Sequence, residues 1–206
     1  MTLTKICGVS TEATLDAAIE HGASHIGLNF YTSSPRHVDV AHAAALAARI
    51  PASVQIVGIF VDPNPEWLAS VRRQLRLDVV QLHGNETPAF AASLGSVWKA
   101  ISVRTRADVD AANAYRGAAT RILYDAKTPT GAIPGGLGLR FDWTLLKGFE
   151  HPLPWGLSGG LTAANVRDAI ASTGAPLVDV SSGVESSPGV KEVDKIAAFL
   201  QSTRHP

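Results

Sequence analysis

Eight short apolar runs recur along this chain, and each is followed by a stretch with helical spacing. That alternation limits the folds open to it. The runs span residues 3–7, 25–30, 54–61, 78–82, 97–102, 121–125, 155–158 and 177–181. They are short, rich in apolar and β-branched residues, and often end in glycine or a polar residue, as buried parallel strands do. Helices are predicted over 11–21, 40–49, 65–75, 87–94, 106–115, 142–147, 163–172 and 193–201. Ser10 or Thr11 offers a cap for the first, and Pro65 suits the first turn of the third. Eight βα units in 206 residues take about 26 residues each, enough for a strand, a helix and their turns. No composition break divides the chain. The pattern predicts one α/β domain over 1–206, a closed (β/α)8 barrel of the TIM type. A doubly wound open sheet is the rival, but no Gly-x-Gly-x-x-Gly follows the first strand.

Function classes narrow next. Eighteen basic residues balance 18 acidic ones, so the sequence predicts neither a nucleic-acid-binding nor an anionic-membrane surface. With 46% hydrophobic residues the chain can fill a sizeable core. Cys7 is the only cysteine, which excludes an internal disulfide and the cysteine-based metal sites. His37 and His83 are read as structural or peripheral rather than as metal ligands. The start lacks an apolar signal region and no apolar stretch reaches membrane-span length, so a cytoplasmic protein is expected.

In a barrel, the C-terminal strand ends and the loops after them carry the active site. Cys7 and Gly8 follow the first strand there, with Lys5 on the same face as Cys7. A strand cysteine is commonly a small buried hydrophobe. Here Asp125 ends the sixth strand, so a thiol and a carboxylate face each other across the barrel mouth as a candidate proton-transfer pair. Arg36 follows Pro35 in a loop; such an arginine is commonly exposed, although its fork can grip a carboxylate. Gln81 and His83 end the fourth strand, and Asp179 ends the eighth. Ser158-Gly159-Gly160 and Ser181-Ser182-Gly183 follow the last two strands. Such glycines serve either tight turns or the phosphate cradle usual at these positions. Asp62, before Pro63, is expected to cap the helix that follows. The glycine-rich segment 126–140 is long for a loop and is expected to close over a ligand.

Eight segments then carry a resemblance, in order. They are Lys5-Ile6-Cys7-Gly8, Ser34-Pro35-Arg36, Gly58-Ile59-Phe60-Val61, Val80-Gln81-Leu82-His83-Gly84, Asp125-Ala126-Lys127, Phe141-Asp142-Trp143, Leu157-Ser158-Gly159-Gly160-Leu161 and Val180-Ser181-Ser182-Gly183-Val184-Glu185. Together they resemble the phosphoribosylanthranilate isomerase family of tryptophan biosynthesis. The resemblance implies an Amadori rearrangement of a small-molecule phosphosugar substrate, without metal or other cofactor, by a monomer or homodimer. It implies that Cys7 is the general base, Asp125 the general acid, and Arg36 the holder of the anthranilate carboxylate. It gives Gly159, Gly160, Ser182 and Gly183 to the phosphate, with Lys5, Gln81, His83 and Asp179 as further substrate-site candidates. The chain departs from the family's usual Gly-Gly-Thr-Gly or Gly-Gly-Ser-Gly at Leu137, where a hydroxyl is missing.

Overall fold

Strands form at Leu3–Cys7 (β1), His25–Asn29 (β2), Gln55–Phe60 (β3), Val79–Leu82 (β4), Val97–Val103 (β5), Arg121–Ala126 (β6), Trp155–Leu157 (β7) and Leu177–Val180 (β8). They belong to a computed structural model that describes residues 2–129 and 135–204. Each strand pairs with the next in parallel, and β8 returns to β1, with Leu3 opposite Leu177 and Lys5 opposite Asp179. The sheet is therefore closed and leaves no strand edge unpaired.

Alternation along the strands separates two cores. Outward residues such as Ile6, Ile26, Ile56, Tyr124 and Val178 join the main apolar cluster beneath the helices. Inward residues Val57, Val79, Trp98, Ala100, Leu123 and Leu177 form a second cluster inside the ring. Arg121 lies over the Trp98 ring at 5.0 Å, and His25 tilts against the same ring. Further towards the strand C-termini the inward positions become polar: Lys5, Gln81, Asp125 and Asp179 are all buried. Buried polar groups are tolerated only where they are paired, so this end is the place to look for chemistry.

The helices are Glu12–Glu20 (α1), Val40–Arg49 (α2), Pro65–Gln74 (α3), Pro88–Ser93 (α4), Arg106–Asp110 (α5), Val166–Thr173 (α6) and Val193–Arg204 (α7). Thr11 caps α1, accepting from the Thr14 amide. Four expectations need correction. Asn64, not Asp62, caps α3: it stands directly before Pro65 and accepts from the amides of Glu66 and Trp67. Asp62 instead takes a left-handed φ of 44° and accepts from the Asn85 amide. The stretch 106–115 is α-helical only to Asp110 and ends as a 3-10 turn. The helix expected over 142–147 is a 3-10 turn, Trp143–Leu146, because Gly148, Pro152 and Pro154 follow too closely for further turns. The helix expected at 163 starts at Val166, because Thr162 and Asn165 first close a hydrogen-bonded turn.

The loop after β8 also holds an unforeseen antiparallel pair, Glu185–Ser187 (β9) and Val190–Lys191 (β10). Residues 130–134, the middle of the expected closing segment, lie outside the described residues. Among the described residues, no helix is long and apolar enough to cross a membrane.

Candidate active site

One cavity at the C-terminal mouth is lined by Cys7, Arg36, His83, Asp125 and Asp179. An adjoining cavity continues from Asp125 and Asp179 to Gly159, Gly160 and Ser182. The ring order puts β1 and β6 three strands apart by the shorter way, so Cys7 and Asp125 approach the opening from different sides.

The thiol has a prepared environment. Gly27 stands opposite Cys7 in the β1–β2 register, and a Cβ there would lie 3.2 Å from Sγ. Glycine thus leaves room for the sulfur. Two residues earlier on the same inward face, Lys5 Nζ donates to both carboxylate oxygens of Asp179, at 2.9 and 3.0 Å. Burial alone would depress the Lys5 ammonium, but the Asp179 carboxylate and the Cys7 thiol hold it above its ordinary value. Burial pushes the Cys7 thiol up, with Lys5 pulling against it. Burial also lifts the Asp179 carboxyl above its usual range despite Lys5.

Asp125 is held on both oxygens. Oδ1 accepts from the Ala126 amide at 2.9 Å, and Oδ2 lies 3.1 Å from His83 Nε2. On its far side, His83 Nδ1 lies 3.1 Å from the Gln81 amide nitrogen.

Arg36 is 6% exposed, which corrects the expectation for a lone loop arginine. Its Nε and Nη2 donate to the two Glu185 oxygens at 2.7 and 2.8 Å, and Nη2 also donates to Gly136 O at 2.9 Å. Lys191 Nζ donates to Glu185 Oε1 at 2.9 Å. Burial would lift the Glu185 carboxyl, but Arg36 and Lys191 hold it below the usual range. Nη1 makes no hydrogen bond among the described residues and packs against Gly136, where a Cβ would collide with it, so it keeps a donor to offer.

The glycine loops fit only glycine. Gly159 has a φ of 87°, and a Cβ there would lie 2.7 Å from the Ala126 nitrogen. A Cβ on Gly160 would press on Gly138 O at 2.9 Å, and one on Gly183 would collide with Leu161 O. The Asn165 side chain donates to Gly160 O at 2.9 Å and fixes that loop. The result is two adjoining turns of backbone next to Ser182, a concavity suited to an anion.

A family model described as N-(5'phosphoribosyl)anthranilate (PRA) isomerase matches residues 4–202. The chain belongs to the N-(5'-phosphoribosyl)anthranilate isomerase family. A family relative from Zymomonas mobilis subsp. mobilis is 51% identical, over 98% of this chain and 97% of its own length. The crystal structure of the phosphoribosyl anthranilate isomerase from Thermotoga maritima is 35% identical, covers both chains in full and superposes with a TM-score of 0.91. A phosphoribosyl anthranilate isomerase crystallised with reduced 1-(o-carboxyphenylamino)-1-deoxyribulose 5-phosphate is 33% identical, with full coverage of both chains and a TM-score of 0.89.

Within this isomerase barrel, most of the sequence-derived residues meet. Cys7, Arg36, His83, Asp125, Asp179, Gly159, Gly160 and Ser182 line the two joined cavities. Lys5 and Gln81 are fully buried behind those lining residues. Gly183 does not line either cavity; it is the point where the last two loops touch. Sequence reasoning missed Gly27, Glu185, Lys191 and Asn165. Glu185 ended a motif that was legible, but nothing in the chain announced its pairing with Arg36.

Proposed function

We propose that the chain catalyses the Amadori rearrangement of N-(5'-phosphoribosyl)anthranilate to 1-(2-carboxyphenylamino)-1-deoxyribulose 5-phosphate, a step of tryptophan biosynthesis. The observation that carries this reading is one connected cavity that joins a thiol, a carboxyl group, a clamped guanidinium and two glycine turns, in a chain of the isomerase family. The substrate has a matching set of groups: a sugar C2′–H, a ring oxygen, an aromatic carboxylate and a phosphate.

The phosphate binds the turns at Gly159–Gly160 and Ser182 through backbone amides. The anthranilate carboxylate takes the Nη1 edge of Arg36, which Glu185 and Lys191 keep in place. Leu137, 51% exposed beside Arg36 and Pro35, offers an apolar side to the aromatic ring where a hydroxyl is absent. Asp125 gives a proton to the ring oxygen, and the C1′–oxygen bond opens to a Schiff base. Cys7, as thiolate, takes the C2′ proton, and its electron pair forms the enolamine, which tautomerises to the ketone. Acid and base each contribute about two to four orders of magnitude in rate. Lys5 favours the thiolate, and Asp179 keeps the Lys5 ammonium in position. The groups of the chain move only protons, while bond breaking and the electron shift stay within the substrate.

The test is loss of phosphoribosylanthranilate fluorescence with the purified chain, together with identification of the product. Conversion to the carboxyphenylamino ketose supports the reading. A folded protein that leaves the substrate unchanged overturns it.

A further inference from the structure

We propose that His83 is the proton partner of Asp125, and that Gln81, acting through His83, sets the protonation state in which the pair rests. This deepens the reading above and rests on Asp125 as its acid.

The geometry is a file of three side chains. Gln81 Nε2 lies 3.1 Å from His83 Nδ1, and His83 Nε2 lies 3.1 Å from Asp125 Oδ2. Gln81 is fully buried, and His83 and Asp125 side chains are 11% and 6% exposed. One atom in this file is out of place: Gln81 Oε1 is buried and has no hydrogen-bond partner among the described residues. Buried acceptors are nearly always paired.

Counting hydrogens gives the orphan a use. With Asp125 ionised and His83 neutral, the ring carries its hydrogen on Nε2 and donates to Asp125. Nδ1 is then bare and accepts from the Gln81 amide, which fits the 3.1 Å approach of Gln81 Nε2. Add one proton to the pair, and there are two arrangements. Either an imidazolium faces a carboxylate, or a carboxylic acid donates to Nε2. Both put a hydrogen on Nδ1, which then needs an acceptor. A half-turn of the Gln81 amide brings Oε1 to that hydrogen. The amide therefore has one orientation for the discharged pair and one for the pair loaded with the proton that the ring oxygen requires.

The proton balance closes. In each turnover Asp125 loses one proton to the ring oxygen and Cys7 gains one from C2′. The His83–Asp125 pair then takes up a proton from solvent as Cys7 releases one. His83 holds that proton within reach of Asp125; it touches no reacting atom and is a positioning residue.

The test compares Asp125→Asn, His83→Ala, His83→Gln and Gln81→Met with wild type, as kcat and KM over pH. The ionisable groups that share the cavity with the pair are Cys7, Tyr31, Arg36 and Asp179. All four are unchanged across the series, so a profile altered specifically at 83 or 81 reports the pair. Asp125→Asn should be near-inactive. His83→Ala should lower kcat by about 10- to 100-fold, part of the full acid contribution, with KM altered less than about threefold. Its kcat profile should change shape on the limb that reports the acid. His83→Gln, which returns an N–H towards Asp125 without a titrating ring, should recover part of kcat but not the profile. Gln81→Met should move that limb with KM unchanged. If His83→Ala fails to fold, the His83→Gln and Gln81→Met profiles decide. An inactive Asp125→Asn beside variants at 83 and 81 with wild-type kcat and profile would overturn the inference alone. A rise in KM alone at 83 and 81 would overturn it too. An active Asp125→Asn would remove the acid assignment beneath it.

Discussion

Burial holds the Cys7 thiol above its ordinary range, and the Lys5 ammonium on the same inward face works against that shift. In the proposed mechanism thiolate is the working form, so kcat/KM should rise with pH on the limb that reports Cys7. Lys5→Met should move that limb to higher pH, read from rates between about pH 6 and about pH 10 around the ordinary thiol value. An unmoved limb would show that Lys5 does not tune the thiol. For stability the sign runs the other way. A thiol raised in the folded state contributes stability that is present below its ordinary pKa and is lost as pH rises through the folded value. Lys5 has a second duty, since its loss leaves the Asp179 carboxyl buried without a partner. Lys5→Met should therefore lower unfolding stability by about 3–5 kcal/mol, and Lys5→Met with Asp179→Leu by distinctly less. Urea denaturation of the two variants checks this, and additive losses would contradict it. At this scale the sequence was legible where a residue's place on a strand decides its role. Cys7, Lys5, Asp125 and Asp179 all fall on inward faces at strand ends, as alternation required. It was not legible for Arg36, because its partner Glu185 is 149 residues away and a loop arginine carries no sign of what covers it.

The eight strands matched their apolar runs to within two residues at either end, because a strand buried on both faces must be apolar. Elements built on turns were harder to read. The β9–β10 hairpin is mostly serine, proline and glycine at its turn, with no alternation to mark it, yet it brings Glu185 and Lys191 to Arg36. Its function is therefore testable as a unit. Glu185→Gln removes the charge that Arg36 and Lys191 share, and should raise KM for phosphoribosylanthranilate by about tenfold while kcat changes little. A fall in kcat at constant KM would contradict the role in carboxylate binding proposed for Arg36 and this hairpin. Helix starts offer a second test. The amides of Thr105 and Arg104 both donate to Asp108 at the start of α5. Slight burial opposes the shift, but these bonds hold its carboxyl at about 2. A carboxyl depressed in this way contributes stability above the ordinary aspartate value, lost as pH falls towards about 2. Asp108→Asn should lower stability at neutral pH by no more than about 1 kcal/mol, the loss of a cap at a half-buried surface site. The difference from wild type should vanish on acidification. A difference that persists at low pH would assign the effect to packing.

Closure of the sheet is what brings the chemistry together. Pairing of β8 with β1 sets Asp179 beside Lys5, beneath Cys7, while β6 carries Asp125 to another side of the same opening. The apolar layer inside the ring supports this polar end from below. The whole-molecule architecture was legible because eight units of near-equal length leave few ways to close a parallel sheet. The 3-10 turn at Trp143–Leu146 in place of the expected helix was not, since the apolar pattern there fits either. The central claim is that one thiol and one carboxyl, delivered by β1 and β6, divide the proton transfers of a single isomerisation. The most direct measurement is kcat/KM for phosphoribosylanthranilate, by loss of its fluorescence, for wild type, Cys7→Ser and Asp125→Asn with folding verified for each. Wild type should convert it rapidly, and each variant should lose about two to four orders of magnitude. Near-wild-type turnover in either folded variant would contradict it.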